Sequence, residues 1–163
     1  MENNEQLIQQ VKDLSIKVNG EVEESFGVLI LKVKASYIIE TLTAAKEFKE
    51  VPCDFLHDLC GVDLMDHFEV VYQLSSLHGQ QKLRVKAILN REDPVIDSVT
   101  PLWQGADYLE REAYDMFGII FNGHPNLKRI YMWDDFEGYP LRKDYVTEPI
   151  EVRNITRTRI EGE

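Results

Sequence analysis

Cysteine is scarce in this sequence: Cys53 and Cys60 are the only two in 163 residues. An iron–sulfur cluster generally takes four protein thiolates, so the chain cannot hold one by itself. Cys53, His57 and Cys60 fall at i, i+4 and i+7, which predicts one face of a short helix. A structural zinc needs a fourth ligand, and neither Asp54 nor His67 stands at a recognisable spacing to supply it. Two reduced, buried thiols with His57 at the edge of the apolar face are the expectation.

Long apolar runs are missing too. None approaches the roughly 18 residues that a membrane span needs. The opening stretch MENNEQLIQQ has no positive region followed by an apolar one, so a secretory signal is not expected and a cytoplasmic location is the default. The chain contains no GxGxxG, GxxxxGK[ST], HExxH or GxSxG, and the acid–base candidates His124, Asp115, Lys128 and Glu110/Glu112 are not backed by any catalytic signature. Internal repeats and low-complexity tracts are absent as well. Positive charge is in deficit: the formal net charge is −11, and the acid excess is concentrated in residues 1–66. Such a surface repels nucleic acid and anionic lipid, which leaves a protein partner.

What is present suffices for one folded domain. Hydrophobic residues make up 44% of the chain, enough at this length to bury a core. Leu7, Ile8, Val11 and Leu14 recur at helical spacing over residues 4–14, and Asn19-Gly20 predicts a turn. Phe26 to Ala35 reads as a strand. Ser36 is placed to cap a helix with Ile38, Ile39, Leu42, Ala45 and Phe48 facing inward, which Pro52 ends. A shorter helix is expected from Cys53 to Cys60, closed by Gly61. His67–Leu77 and Gln81–Leu89 flank His78-Gly79-Gln80 and predict an antiparallel hairpin, with Leu83, Val85 and Ala87 on one face and Lys82, Arg84 and Lys86 on the other.

The densest stretch runs from Ala106 to Tyr145. Ala106, Leu109, Ala113, Met116 and Phe117 share one helical face, with Glu110 and Glu112 on its shoulders and Arg111 and Asp115 pointing away. Gly118 ends the helix in a left-handed conformation. Ile119–Phe121 reads as a short buried strand, Asn122-Gly123 as a turn, and His124-Pro125 as an extended pair. His124 is expected to cap a backbone group beside Pro125. A second turn, Glu137–Pro140, delivers Leu141, Arg142, Lys143, Asp144 and Tyr145. Arg142 is a fixed cationic fork, and Glu110 and Glu112 are its expected partners. Tyr131, Trp133 and Phe136 have the apolar body and polar handle that suit a protein interface better than a base or flavin.

Together, Glu110-Arg111-Glu112, Asp115-Met116-Phe117-Gly118-Ile119, Phe121-Asn122-Gly123-His124-Pro125, Arg129-Ile130 and Pro140–Tyr145 closely resemble the signature of the 30 kDa subunit family of respiratory complex I, the proton-pumping NADH:quinone oxidoreductase. The likeness extends more weakly through Gly61-Val62-Asp63, Val71–Ser76 and Ser98-Val99. Tyr108, Tyr139 and Val146 depart from the commonest pattern. The element order predicts a two-layer α+β domain over residues 1–145, helices packed on a mixed, mostly antiparallel sheet, followed by an extended C-terminal arm, 146–163. The resemblance implies the same fold and an arm that orders across a partner.

The resemblance further implies a structural subunit of the peripheral arm, on the cytoplasmic side of the inner membrane, without catalytic residues, metal or cofactor of its own. FMN and iron–sulfur clusters are expected on neighbouring subunits. The implied partners are the hydrogenase-like quinone-site subunit and the subunit carrying the terminal cluster. The expected interface comprises Glu110, Arg111, Glu112, Asp115, His124, Pro125, Arg129, Tyr131, Trp133, Arg142, Lys143, Asp144 and Tyr145. Two alternatives stay open: the equivalent subunit of a membrane-bound hydrogenase or other-donor complex, and a free-standing binding module.

Overall fold

The computed structural model describes residues 2–77 and 81–146. Helix α1, Glu2–Lys17, leads through the Asn19-Gly20 turn into strands β1, Glu21–Ser25, and β2, Val28–Lys34. A single 3-10 turn, Ala35–Tyr37, opens α2, Ile38–Lys46; then come β3, Phe55–Asp63, β4, His67–Ser75, and β5, Lys82–Asn90. The last elements are β6, Val95–Asp97, α3, Ala106–Phe117, and β7, Ile120–Asn122. The five longer strands form one sheet in the order β1-β2-β5-β4-β3, in which only the β2–β5 pairing is parallel. Strands β6 and β7 form a separate parallel pair, with α3 as the crossover that parallel neighbours require.

All three helices lie on one face of the large sheet, which makes the fold the expected two-layer α+β arrangement on a mixed, mostly antiparallel sheet. Leu31, Val33, Val70, Tyr72, Leu83, Val85 and Ala87 project into the core beneath Val11, Leu14, Ile38, Leu42 and Ala113. Each valine, leucine or isoleucine among them contributes about 1.5–3 kcal/mol when taken fully out of water. On the other face, Lys86 Nζ reaches Glu69 Oε2 at 2.8 Å, Arg84 Nε donates to Gln73 at 3.2 Å, and Lys32 pairs with Glu23. The alternation read from Lys82 to Ala87 therefore holds residue by residue.

Four local expectations need correction. Phe26 is the first residue of a two-residue turn, at φ 52 before Gly27 at φ 73, and it separates β1 from β2. Positive φ at both positions matches the twist of the flanking strands. Ser36 caps nothing: the residue before α2 is Tyr37, and it makes no side-chain capping bond. The segment from Phe55 is an edge strand rather than a helix. Its register slips between Leu56 and Asp58, so Leu56 and Leu59 both face the core three residues apart, opposite Leu74 and Tyr72. A bulge thus imitates helical spacing. With the helix gone, Cys53, His57 and Cys60 no longer converge: Cys53 is buried, Cys60 is exposed, and the His57 ring bonds to Ser75 Oγ at 2.7 Å. Finally, Gly61 lies inside β3, where a Cβ would stand 2.7 Å from the Phe117 ring. It is the seat of α3.

The residues expected to turn the β4–β5 hairpin, 78–80, and the expected arm beyond Val146 lie outside the described residues.

Candidate docking surface

Three buried carboxylates hold the surface together, and each binds a segment that lacks regular structure. Asp115, on the last turn of α3, is fully buried. Its Oδ2 accepts the N–H groups of Ile130, Tyr131 and Met132 at 2.9, 2.7 and 3.0 Å, and its Oδ1 accepts from Arg129 at 3.0 Å. Burial alone would raise this carboxyl. The three backbone donors and the Arg129 guanidinium overcome it and hold the group below the usual carboxylate range. One helix position therefore fixes the backbone of the whole 129–132 strip.

Asp63, at the end of β3, plays the same part for the Pro140–Tyr145 motif. It accepts the N–H groups of Met65 at 2.8 Å and Lys143 at 2.9 Å and is bridged by Arg91, whose Nη2 also reaches Asp144 at 2.9 Å. Burial opposes ionisation, but the Arg91 guanidinium and the two backbone donors hold Asp63 well below the ordinary value. Glu110 ties α3 to the segment before it: Oε2 accepts the Ser98 hydroxyl and Oε1 the Val99 N–H, both at 2.7 Å. Here burial prevails over those bonds and raises the carboxyl.

This architecture revises the picture of α3. The apolar stripe is as predicted, but Glu110, Arg111 and Asp115 are also buried: Glu110 by the Ser98-Val99 segment, and Arg111 and Asp115 by the returning chain 124–145 on the helix's far side. Arg111 donates to Lys128 O at 3.1 Å and lies over the Tyr108 ring. Arg142 does not pair with Glu110 or Glu112. Its Nε donates to Phe117 O, while the Leu141 N–H donates to Met116 O at 3.1 Å. The last turn of a helix leaves carbonyls without partners and carries partial negative charge, so a guanidinium satisfies both demands there. Gly118, at φ 73, makes room: a Cβ would meet the Tyr139 ring at 2.5 Å and Arg142 Nη2 at 2.7 Å. Arg142 also lies 4.5 Å from the Tyr139 ring centroid and 5.1 Å from that of Phe68.

His124 behaves as expected. Its Nδ1 accepts the Asn126 N–H at 3.0 Å, which leaves Nε2 to donate to Asp107 O at 3.1 Å. Its side chain has no exposed surface, and Glu110 Oε2 lies 3.9 Å away.

The thirteen residues expected at an interface thus divide into three groups. Glu110, Arg111, Asp115 and His124 have inward side chains that shape the surface without presenting themselves on it, a correction that follows from their burial. Arg129 and Arg142 are half-buried braces. Glu112, Pro125, Tyr131, Trp133, Lys143 and Asp144 are exposed, and Tyr145 is half-buried with its ring stacked on Phe136. Tyr131 is 60% exposed, Trp133 64% and Leu141 54%. Sequence reasoning gave no role to Asp63 or Arg91, although Gly61-Val62-Asp63 belonged to the resemblance. An acid closing a strand and an Arg just past the next hairpin was the available signal.

The comparisons with known proteins agree with this architecture. The sequence pattern describing the respiratory-chain NADH dehydrogenase 30 kDa subunit matches residues 31–151. An NADH-quinone oxidoreductase subunit from Sinorhizobium medicae is 47% identical over 137 residues, covering 80% of this chain and 67% of that protein. Its counterpart from Citrifermentans bemidjiense is 42% identical over 148 residues, 89% of this chain and 91% of its own length. Among solved structures, a trypsin-resistant fragment of Nqo5 superposes with a TM-score of 0.62 at 29% identity, covering 75% of this chain and 99% of the fragment. A chain of the archaeal membrane-bound sulfane sulfur reductase, a respiratory membrane complex, superposes at 0.71 with 25% identity, covering 85% of this chain and 84% of its own. With the matched region spanning most of the described fold, the chain belongs to the respiratory-chain NADH dehydrogenase 30 kDa subunit family, whose members are subunits of NADH-quinone oxidoreductase.

Proposed function

We propose that this chain is a cofactor-free structural subunit in the peripheral arm of an NADH:quinone oxidoreductase. It docks through the 106–145 surface onto the hydrogenase-like quinone-site subunit, beside the subunit that carries the terminal iron–sulfur cluster, on the cytoplasmic side of the membrane. FMN and the clusters reside on those neighbours, and electron transfer from NADH to quinone runs through them. The observation that carries this reading is the set of large exposed side chains, Tyr131, Trp133 and Leu141, on or beside backbone held by Asp115, the Met116 carbonyl and Asp63. Exposed aromatics on a rigid support are what protein interfaces use as anchors. No helix among the described residues is long and apolar enough to cross a membrane, so attachment through a partner fits.

The deciding experiment is affinity purification of the tagged chain from solubilised membranes with mass identification of what comes with it. A large hydrogenase-like subunit together with flavin and iron–sulfur proteins is the expected result. Recovery of the chain alone would sink the proposal. A second reading, a subunit of a related complex with another electron donor, is favoured by the likeness to the sulfane sulfur reductase chain. It predicts a hydrogenase-like partner without the flavin-bearing NADH-oxidising proteins.

A further inference from the structure

On the 106–145 surface and in the strands beside it the chain repeats one arrangement: a guanidinium over an aromatic ring. Arg129 lies 5.7 Å from the Phe136 ring centroid and 5.2 Å from that of Tyr139, held by Asp115. Arg91 lies 4.9 Å over Phe68, held by Asp63 and Asp144. Arg142 sits against Phe68 and Tyr139. These cations are spent inside the fold, on carboxylates, carbonyls and rings.

Trp133 has the ring and the acids but lacks the cation. It is 64% exposed, Asp134 and Asp135 follow it and are both exposed, and Glu137 is exposed on the same segment. Phe136 packs perpendicular to the indole, ring centroids 4.9 Å apart, and this contact leaves Trp133 largely exposed. No basic residue occurs between Tyr131 and Tyr139, and among the described residues no cation lies over the Trp133 ring.

From this geometry we infer that the Trp133–Glu137 lip is a receptor for an arginine or lysine presented by a basic segment of the partner polypeptide, with the indole taking the cation's face and Asp134 and Asp135 its charge. The inference rests on the docking function above and names the chemistry of what docks. Tryptophan is the best of the aromatic rings for a cation, and the contact strengthens when a partner removes water from it. Carboxylates beside the ring add steering at long range and register at short range.

The test uses the full chain in its assembled complex, isolated from membranes by a tag on the chain and washed in rising NaCl. Five forms are compared: the parent, W133L, the double variant D134N/D135N, the parent lacking residues 147–163, and W133L lacking the same residues. Partners are expected to leave W133L and D134N/D135N at lower salt than the parent, corresponding to about 5- to 30-fold weaker association. The double variant should also show the flatter dependence on salt, since its charges are what salt screens. Both changes lie on exposed side chains, and a thermal melt matching the parent's establishes that the fold is intact. If the parent keeps its partners and both variants keep them to the same salt, the cation receptor is refuted while docking stands. If the parent retains no partner, the docking function fails and takes the receptor with it. If removing residues 147–163 abolishes the W133L effect, the cation belongs to this chain, and the assignment to a partner is overturned.

Discussion

Replacing Asp115 by Asn isolates what one buried charge does for the docking surface. The amide keeps the size of the carboxylate, and its oxygen can still face the N–H groups of Ile130, Tyr131 and Met132. Its nitrogen must then face Arg129, a donor against a donor. Three bonds that end on a charged acceptor fall to neutral strength, each losing about 1 kcal/mol, while a mostly buried guanidinium loses its counter-charge. Arg129 keeps the Gly138 carbonyl at 3.0 Å and the rings of Phe136 and Tyr139, which moderates the cost. The expected destabilisation is about 3–5 kcal/mol. For a chain of this size that lowers the melting midpoint by roughly 6–20 °C, followed by circular dichroism at pH 7. Because the folded Asp115 carboxyl lies below its unfolded value, its contribution is present above about pH 4 and is lost as pH falls through the folded value. The gap between parent and D115N should therefore narrow in acid. Hydrogen exchange localises the effect: the amides of residues 130–132 lose protection while those of β4 and β5 keep theirs. A variant that melts within about 2 °C of the parent, on the same size scaling, with those three amides still protected, would refute the reasoning.

Glu110→Gln should behave in the opposite sense. Burial raises the Glu110 carboxyl, so its stabilising contribution belongs to the acid side and is lost as pH rises through the folded value; the stability of E110Q relative to the parent should climb with pH in parallel denaturant titrations. Gly118→Ala combines a positive φ with a Cβ 2.5 Å from the Tyr139 ring, and a loss of about 2–4 kcal/mol is expected in urea unfolding, with an unshifted midpoint counting against the packing described. For the thiols, burial pushes Cys53 up to about 12 while Cys60 is exposed on β3, so a native-state maleimide pulse at pH 8 should modify Cys60 and spare Cys53 until the chain unfolds. Equal labelling of the two would contradict the strand assignment of 55–63.

The architecture was legible wherever a single periodicity governed the chain. Lys82 to Ala87 alternates because one sheet face is packed and the other wet, and the stripe on α3 follows because that helix crosses the same sheet. Legibility failed where two signals overlapped. At Phe55–Asp63 a bulge inserted one residue into a period of two, and the result scanned as a helix. The short acidic strand Glu21–Ser25 is an edge strand with a poorly buried side-chain set, so it left no apolar alternation to read. The misassigned partners of Arg142 have a related cause. Pairing opposite charges by sequence proximity takes no account of the orphan carbonyls at the end of α3, and these compete for the same guanidinium. Arg111 and Asp115 were read as pointing away because helical spacing reports only which residues face the sheet. It cannot report that residues 124–145 come back over the opposite side.

That return also explains how a segment with almost no regular structure can serve as a fixed surface. Buried backbone donors must be satisfied, and in a ladder each strand satisfies its neighbour. Here the donors of Ile130, Tyr131, Met132, Lys143 and Val99 terminate on Asp115, Asp63 and Glu110. Each carboxylate stands on or at the end of a packed element and reaches outside it, from 11 residues between Glu110 and Val99 to 80 between Asp63 and Lys143. The loops thereby take their positions from α3 and β3 rather than from one another. A sheet edge would have fixed the backbone equally well but turned alternate side chains inward. Carboxylate clamps fix it while leaving Tyr131, Trp133 and Leu141 outward, an arrangement suited to a chain whose contribution to chemistry is to hold another polypeptide in place.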